Sequence, residues 1–261
     1  MRIARLAVPN RPTAYAVLEE GVAQLLDRAP WLGGTRTGEE VAWSEAMLRA
    51  PVEPSKIICV GRNYAAHAKE LGHDLPSEPL LFFKPPSAIV GPGDDVLMPA
   101  VSERVDHEAE LTLVIGTRAK NLTRANAIAH LAGITTANDV TARDLQKKDG
   151  QWARAKGFDT FCPIGPWVDT RVDEAFLSSL EVRCEVDGVE RQRGRTSHMI
   201  FDVPTVLAYV SAIFTLEPGD VILTGTPEGV APLDHGARCT VSVHETDGTP
   251  VFSLTNRFLR P

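Results

Sequence analysis

Short apolar runs bounded by turn residues make up most of the hydrophobic pattern of this chain, and such runs predict β-strands. Beyond residue 50 these runs are residues 56–60, 80–83, 112–116, 133–140, 221–224, 237–243 and 249–256. Residues 180–186 alternate between apolar and polar positions, and Asp187-Gly188 separates them from residues 189–192. That arrangement predicts a β-hairpin. The apolar runs at residues 56–60 and 80–83 are predicted to be buried.

Helical character is limited to a few segments. These segments are residues 41–48, 65–71, 123–131 with Thr123 as a candidate N-cap, and 202–213. Residues 146–157 are polar and basic around Trp152, and we predict a loop there. Residues 72–79 contain two prolines and no periodicity, so this segment is a candidate lid beside a site.

The first fifty or so residues are predicted to form a small module of their own. Residues 2–8 and 13–18 can pair as two strands around a turn that contains two prolines. Residues 51–54 contain two further prolines and read as a linker, because proline disfavours both continuous helix and central strand. We therefore divide the chain into an N-terminal module, residues 1–52, and a larger domain, residues 53–261.

A short acidic stretch, residues 105–111, carries the first candidate chemistry. Glu108 and Glu110 are two residues apart and share a face if the chain is extended. Two carboxylates at the mouth of an apolar strand repel each other and are costly to desolvate, and a divalent cation removes both costs. Oxygen ligands favour Mg²⁺, Mn²⁺ or Ca²⁺ over zinc. The alternative is a solvated edge strand that carries two acids.

The roles of four further residues remain open on local grounds. Asp139 ends a predicted strand, where it can complete an oxygen ligand set or cap the following turn. His67 and Glu70 lie three residues apart on one face of a predicted helix. They are either a general base with the carboxylate that orients it, or an ordinary surface pair. Lys84 follows four apolar residues, either as an exposed strand-end lysine or close to an anion.

Composition narrows the functional classes. The 261 residues carry a formal net charge of −7, which argues against a general nucleic-acid binder. The four cysteines are widely spaced, so we interpret them as reduced structural residues of a cytoplasmic protein. We expect no signal peptide and no membrane span. A glycine-bounded loop, residues 225–230, lacks the ending of a phosphate loop, and its Thr226 can face a ligand.

Taken in order, several motifs of this chain resemble the fumarylacetoacetate hydrolase family. The motifs that carry the resemblance are residues 61–64 with His67 and Glu70, 83–85, 107–111, 138–144, 155–160 and 225–230. The resemblance covers about residues 56–259. It implies an α+β fold that is mostly β, a mixed β-roll of packed sheets with a few helices, and usually a homodimer. The first fifty residues resemble the small β-rich extension of some bacterial members.

The resemblance also implies roles for individual residues. Three carboxylates would ligate Mg²⁺ or Mn²⁺, with Ca²⁺ as a substitute during crystallisation: Glu108, Glu110 and Asp139. His67 and Glu70 would form a catalytic dyad, and Lys156 would face the oxyanion of the substrate. The predicted substrate-binding residues are Arg62, Tyr64, Lys84, Arg143, Gln146 and Thr226.

The family acts on 2-oxo acids that carry a further carbonyl or carboxylate group, and the cation acts as a Lewis acid toward the enolate. The resemblance therefore implies hydrolysis of acylpyruvate-type substrates or decarboxylation of oxaloacetate-type substrates. The N-terminal extension points instead to a 2-hydroxyhepta-2,4-diene-1,7-dioate isomerase or 5-oxopent-3-ene-1,2,5-tricarboxylate decarboxylase of aromatic catabolism. A more distant alternative is a catalytically silent dimer that binds a metabolite. We expect neither nucleic acid nor membrane as a partner.

Overall fold

The computed structural model of the chain describes residues 1–70 and 74–261. Its strands are β1 (Arg2–Leu6), β2 (Ala14–Leu18), β3 (Val22–Leu26), β4 (Arg36–Ala42), β5 (Leu48–Arg49), β6 (Ile57–Gly61), β7 (Leu80–Lys84), β8 (Ile89–Val90), β9 (Asp95–Leu97), β10 (Val105–Asp106), β11 (Ala109–Ile115), β12 (Leu131–Asn138), β13 (Thr141–Ala142), β14 (Cys162–Asp169), β15 (Glu181–Val186), β16 (Val189–Arg195), β17 (Val221–Leu223), β18 (Arg238–His244) and β19 (Pro250–Leu259). Its α-helices are α1 (Ala65–Glu70), α2 (Arg143–Asp149), α3 (Ala153–Gly157), α4 (Glu174–Ser178) and α5 (Val203–Ile213). The predicted α+β fold, mostly β, is confirmed.

A large mixed sheet forms one layer of the molecule. Within the described residues it holds twelve strands, in the order β4-β3-β2-β1-β14-β12-β11-β17-β6-β7, with β5 on β1 and β8 on β14. The predicted pairing of the first two strands is confirmed, and β1 also pairs with β14 through Arg2 and Ile3. The N-terminal strands therefore extend the same sheet. The division of the chain at residue 52 stays a prediction.

A five-stranded sheet packs against the middle of the large one. Its order is β16-β15-β18-β19-β9, and it contains the predicted hairpin β15–β16. Strands β11, β12 and β14 contact it face to face, and the largest hydrophobic cluster lies between the two layers. Because β11 is buried along its whole length, it has an almost continuous apolar sequence, as a strand covered on both faces requires.

The helix predicted over residues 202–213 is confirmed as α5. Asp202 caps it by accepting a hydrogen bond from the Thr205 amide at 3.0 Å, and Pro204 lies in its first turn, where proline is tolerated. Its buried residues, including Val206, Leu207 and Val210, join the main core. The predicted helix of residues 65–71 is α1 as far as Glu70. Residue 71, and residues 72 and 73 of the candidate lid, lie outside the described residues.

Two predicted helices are wrong. Residues 41–48 contain the end of β4, a 3₁₀ turn at Glu45–Met47 and the start of β5, because β4 pairs with β3 and β5 pairs with β1. Residues 123–131 contain only a 3₁₀ turn at Ile128–His130 before β12 begins. In both places pairing with neighbouring strands overrides the helical preference of the local sequence.

Two other predictions need correction. Residues 146–157 are not a plain loop, because α2 and α3 occupy most of them. Strand β7 exists, but it is the edge of the large sheet, so Leu80 and Phe83 remain 38% and 42% exposed rather than buried. Within residues 1–70 and 74–261, no helix is long and apolar enough to cross a membrane.

Candidate active site

Three buried carboxylates converge at the ends of two neighbouring central strands. Glu108 directly precedes β11, Glu110 lies on it, and Asp139 directly follows β12. The Asp139 amide donates a hydrogen bond to the Glu108 carbonyl at 2.8 Å, and the short ribbon of β10 and β13 continues this pairing. One carboxylate oxygen from each of the three lies within 4.8 Å of the others. The antiparallel register therefore brings together acids that are about thirty residues apart in sequence.

Buried cations hold two of these three acids. The Lys156 ammonium on α3 donates to Glu108 Oε2 at 2.8 Å and to Asp139 Oδ2 at 2.6 Å. Arg143, the first residue of α2, donates to Glu108 Oε1 at 2.5 Å. Lys84 donates to the other oxygen of Asp139 at 2.5 Å. Glu110, in contrast, accepts a hydrogen bond from the Gly225 amide at 2.6 Å and contacts none of these cations.

The pKa values of the acids diverge accordingly. Burial favours the neutral form of Glu108, but Lys156 and Arg143 outweigh it and hold the pKa of Glu108 well below its usual value. Burial, together with the charges of Asp139 and Glu108, raises the pKa of Glu110 well above its usual value. Burial lowers the pKa of Lys156, but Asp139 and Glu108 reverse this and raise it. Without a further cation, Glu110 is therefore the acid of the cluster whose ionised form is least favourable.

The donor set fits a hard divalent cation. It consists of carboxylate oxygens alone, which suits Mg²⁺ or Mn²⁺. Glu108 Oε2, Asp139 Oδ2 and Glu110 Oε2 each accept one hydrogen bond and keep a further lone pair. A cation beside Glu110 would also remove the like-charge repulsion that raises its pKa. The residues that would hold it are Glu108, Glu110 and Asp139.

The predicted dyad lies on the wall of the same cavity. Its volume is about 400 Å³, and its lining includes His67, Glu70 and the three acids. His67 Nδ1 is 3.2 Å from Glu70 Oε2, so the carboxylate accepts the Nδ1 proton and leaves Nε2 as the basic nitrogen. Gly229 in the loop of residues 225–230 donates its amide to Glu70 at 3.1 Å.

The outer wall of the cavity is basic and aromatic. Arg62 has a left-handed backbone with φ of 57° and places its guanidinium 5.9 Å from the ring centre of Trp152. Gln146, Lys147 and Trp152 line the same wall, and Arg143 donates to Gln146 Oε1 at 2.8 Å. This end of the cavity is therefore suited to a second anionic group of a ligand.

The structure brings most of the predicted site residues to one cavity. These are Arg62, His67, Glu70, Glu108, Glu110, Asp139, Arg143, Gln146, Lys156 and Thr226. Lys84 is 1% exposed, lies behind Asp139, and does not line the cavity. Tyr64 is 2% exposed and does not line it either. Both side chains lie within the packed interior, and their role as substrate contacts stays a prediction.

Two residues important for this geometry were not singled out from the sequence. Asp106 accepts hydrogen bonds from Arg143 Nε at 3.0 Å and from Arg104 Nε at 2.8 Å. It therefore orients the Arg143 guanidinium that contacts Glu108. Gln192 on β16 contacts the loop that contains Thr226. Gln192 and Gly194 are the two buried positions of β16, and their spacing of two residues is the local signal that places Gln192 on the inward face.

Comparison with known proteins decides the family. Residues 56–258 match the family described as fumarylacetoacetate (FAA) hydrolase C-terminal, and residues 1–51 match one described as Rv2993c-like, N-terminal. The chain belongs to the fumarylacetoacetate hydrolase family. The resemblance inferred from the motifs is therefore confirmed.

Two relatives match the whole chain, and a third matches part of it. Protein Rv2993c of Mycobacterium tuberculosis is 42% identical over 267 residues, covering 100% of this chain and 98% of that protein. The solved 2-hydroxyhepta-2,4-diene-1,7-dioate isomerase of Mycobacterium marinum is 42% identical, with a TM-score of 0.87, covering 100% and 98% of the two chains. Human mitochondrial oxaloacetate tautomerase FAHD2B is 47% identical over 191 residues, covering 72% of this chain and 61% of that protein.

Proposed function

We propose that this chain is an Mg²⁺- or Mn²⁺-dependent enzyme that moves a proton at C3 of a 2-oxo acid with a second carboxylate. One observation carries the proposal: the three-carboxylate cluster, Lys156 and the basic Nε2 of His67 all face one cavity. Two relatives are named for this kind of proton shift, an oxaloacetate tautomerase and a diene-dioate isomerase. Their names support the proposal but do not fix the substrate.

The charge of the cluster supports an anionic substrate. Four buried acids face four cations in and behind the site: Asp106, Glu108, Glu110 and Asp139 against Lys84, Arg104, Arg143 and Lys156. With every group ionised these charges cancel, so a bound dication adds a charge of +2. An anionic ligand can neutralise that excess, and Arg62 and Lys147 add further positive charge on the outer wall.

The side chains around the cavity have distinct parts in the proposed reaction. When bound, the cation would supply Lewis-acid stabilisation of negative charge on the substrate. His67 Nε2 removes the C3 proton and delivers it to the C2 oxygen, which completes the keto–enol shift, and Glu70 fixes the tautomer in which this nitrogen is free to accept it. Lys156, held between Glu108 and Asp139, adds positive charge where the substrate becomes an enolate. Arg143 and Gln146 hold the substrate beside it.

A second candidate is cleavage of a C3–C4 bond, by hydrolysis of an acylpyruvate or decarboxylation of an oxaloacetate-type acid. The side chain of Glu70 is 35% exposed, so water can reach the dyad, and this observation favours hydrolysis. Decarboxylation needs no water and shares the enolate with the proton shift. We further propose that the enzyme works as a homodimer.

The test is a substrate panel with identification of products. The purified protein is mixed with Mg²⁺ or Mn²⁺ and with oxaloacetate, acetylpyruvate or a hydroxymuconate-type diene diacid, and is followed by ultraviolet absorbance and NMR. A proton shift changes enol absorbance with no loss of carbon, decarboxylation releases CO₂, and hydrolysis of acetylpyruvate yields pyruvate and acetate. We expect the first outcome for the dicarboxylic acids.

Two variants make the test specific. Glu110→Gln removes a candidate ligand with little change of shape, and Glu20→Gln changes an exposed glutamate in the β2–β3 turn. We expect loss of activity in the first variant and full activity in the second. A wild-type protein that converts no member of the panel with either metal would refute the proposal.

A further inference from the structure

Gln192 connects the five-stranded sheet to the candidate site through all four hydrogen bonds that its amide can make. Its Oε1 accepts from the Ala109 amide at 3.0 Å and lies 2.9 Å from His107 Nδ1. Its Nε2 donates to the Pro227 carbonyl at 2.8 Å and to Thr226 Oγ1 at 2.8 Å. The side chain is 1% exposed, so no water competes for these bonds.

The orientation of this amide follows from its backbone partners. A backbone N–H can only donate, so the atom facing Ala109 is the oxygen, and a carbonyl can only accept, so the atom facing Pro227 is the nitrogen. His107 must then carry its proton on Nδ1. Thr226 must accept from Gln192, because Nε2 has no lone pair to offer a hydroxyl.

The hydroxyl of Thr226 is constrained a second time. Thr226 Oγ1 lies 2.9 Å from the Ala109 carbonyl, which can only accept, so the hydroxyl proton points there. One lone pair is used by Gln192 and the proton by Ala109, which leaves a single lone pair. Thr226 lines the cavity, so this oxygen can serve a ligand only as a hydrogen-bond acceptor.

We propose that Gln192 is a positioning residue that makes Thr226 a hydrogen-bond acceptor for a hydroxyl group of the ligand. This inference rests on the proposed function, in which the enol form of a 2-oxo acid carries such a hydroxyl at C2. The keto form has only acceptor oxygens and gains nothing from this contact. The site therefore favours the enol over the keto form through a residue of the opposite sheet.

The test compares two probes of the same charge and nearly the same size. Lactate carries a hydroxyl at C2, and pyruvate carries a carbonyl there. Their dissociation constants are measured by ligand-observed NMR in the presence of Mg²⁺ for wild type, Thr226→Val, Thr226→Ser and Gln192→Met. Thr240→Val is the matched control, because Thr240 lies on β18 and does not line the cavity. Thermal unfolding reports whether each variant is folded.

Thr226→Val is expected to weaken lactate binding about three- to ten-fold, which corresponds to the loss of one hydrogen bond, and to change the dissociation constant of pyruvate by less than about two-fold. Gln192→Met is expected to shift the lactate-to-pyruvate ratio in the same direction, whereas Thr226→Ser and Thr240→Val preserve it. If Thr226→Val does not fold, Thr226→Ala replaces it with the same expectation.

Equal weakening of both probes would reduce Gln192 to a packing role and overturn the proposal. Stronger weakening of pyruvate would mean that the hydroxyl donates, which also overturns it. Absence of probe binding to the wild type would overturn this inference and leave the proposed function standing. The conversion of the substrate panel tests the proposed function separately.

Discussion

Replacing Glu110 by glutamine should stabilise the metal-free protein and remove its stabilisation by Mg²⁺ or Mn²⁺. Glutamine has nearly the same shape, and its carbonyl oxygen can still accept the Gly225 amide. It carries no charge, so it loses the repulsion that, together with burial, raises the pKa of Glu110. The same change removes a candidate ligand from the set Glu108, Glu110 and Asp139.

The size of the effect follows from the geometry of the cluster. The three acids offer oxygens within 4.8 Å of one another, and at this distance a like-charge pair costs about 3 kcal/mol at an effective dielectric constant of about 20. Attraction by Lys156 and uptake of a proton by Glu110 reduce this cost. We expect a net gain of about 1–2 kcal/mol in the metal-free unfolding free energy, or roughly 2–6 °C in melting temperature.

The gain should depend on pH with a defined sign. The folded-state pKa of Glu110 lies above its ordinary value of 4.5, so the folded wild type binds the proton more tightly than the unfolded chain. Its stabilising contribution is complete below pH 4.5 and is lost as the pH rises through the raised pKa. The variant has no such loss. Its advantage over the wild type should therefore be small at acidic pH and larger at neutral and alkaline pH.

Thermal unfolding in EDTA and in saturating metal measures both effects. At a metal concentration about a hundred times the dissociation constant, the wild type should gain about 2.7 kcal/mol and the variant nothing. Glu20→Gln should behave as the wild type in both conditions, because Glu20 is exposed and lies outside the cavity. A metal-induced stabilisation that survives in Glu110→Gln, or a metal-free variant less stable than the wild type, would refute this reasoning.

Three further outcomes are expected. His67→Asn should keep the thermal stabilisation by metal and lose about a hundred-fold or more in turnover, since only a proton-transferring base is removed. Lys147→Met should raise KM several-fold for dicarboxylic substrates but not for acetylpyruvate, because Lys147 lines the cavity. Lys148→Met, a change in the next residue, is the control and should leave the KM of both kinds of substrate unchanged. Nitrogen-15 NMR of the His107 ring should show the proton on Nδ1, and Gln192→Met should disturb that signal.

The shared face of the two glutamates and much of the sheet were predictable from local sequence because their signals are local, whereas the ligand set of three acids came from the family resemblance. Glu108 and Glu110 fall on one face by the two-residue period of a strand. Asp139 ends an apolar run that is long enough to be the neighbouring central strand. The hairpin of β15 and β16 follows from alternation and an Asp-Gly turn, and α5 follows from its cap and apolar spacing.

The errors arise where distant contacts decide the outcome. The four apolar residues before Lys84 read as a buried strand, yet β7 is a sheet edge, and only the strand order shows this. Lys84 itself points inward to Asp139, which is 55 residues away. Gln192 lies 83 residues beyond Ala109 and meets it only because the second sheet packs there. Residues so far apart in sequence cannot be paired from the pattern of a local segment.

The position of the cations explains how a cluster of buried acids is tolerated in the interior. Lys84 approaches Asp139 from behind the cavity, whereas Arg143 contacts Glu108 from the cavity wall. A buried acid without such a partner would take up a proton, as the raised pKa of Glu110 indicates. Arg62, Arg143, Lys147 and Lys156 line the cavity together with the acids, but within the described residues none of them hydrogen-bonds to Glu110. Glu110 is therefore the acid of the cluster without a cationic hydrogen-bond partner among the described residues, and a divalent cation bound there would supply one.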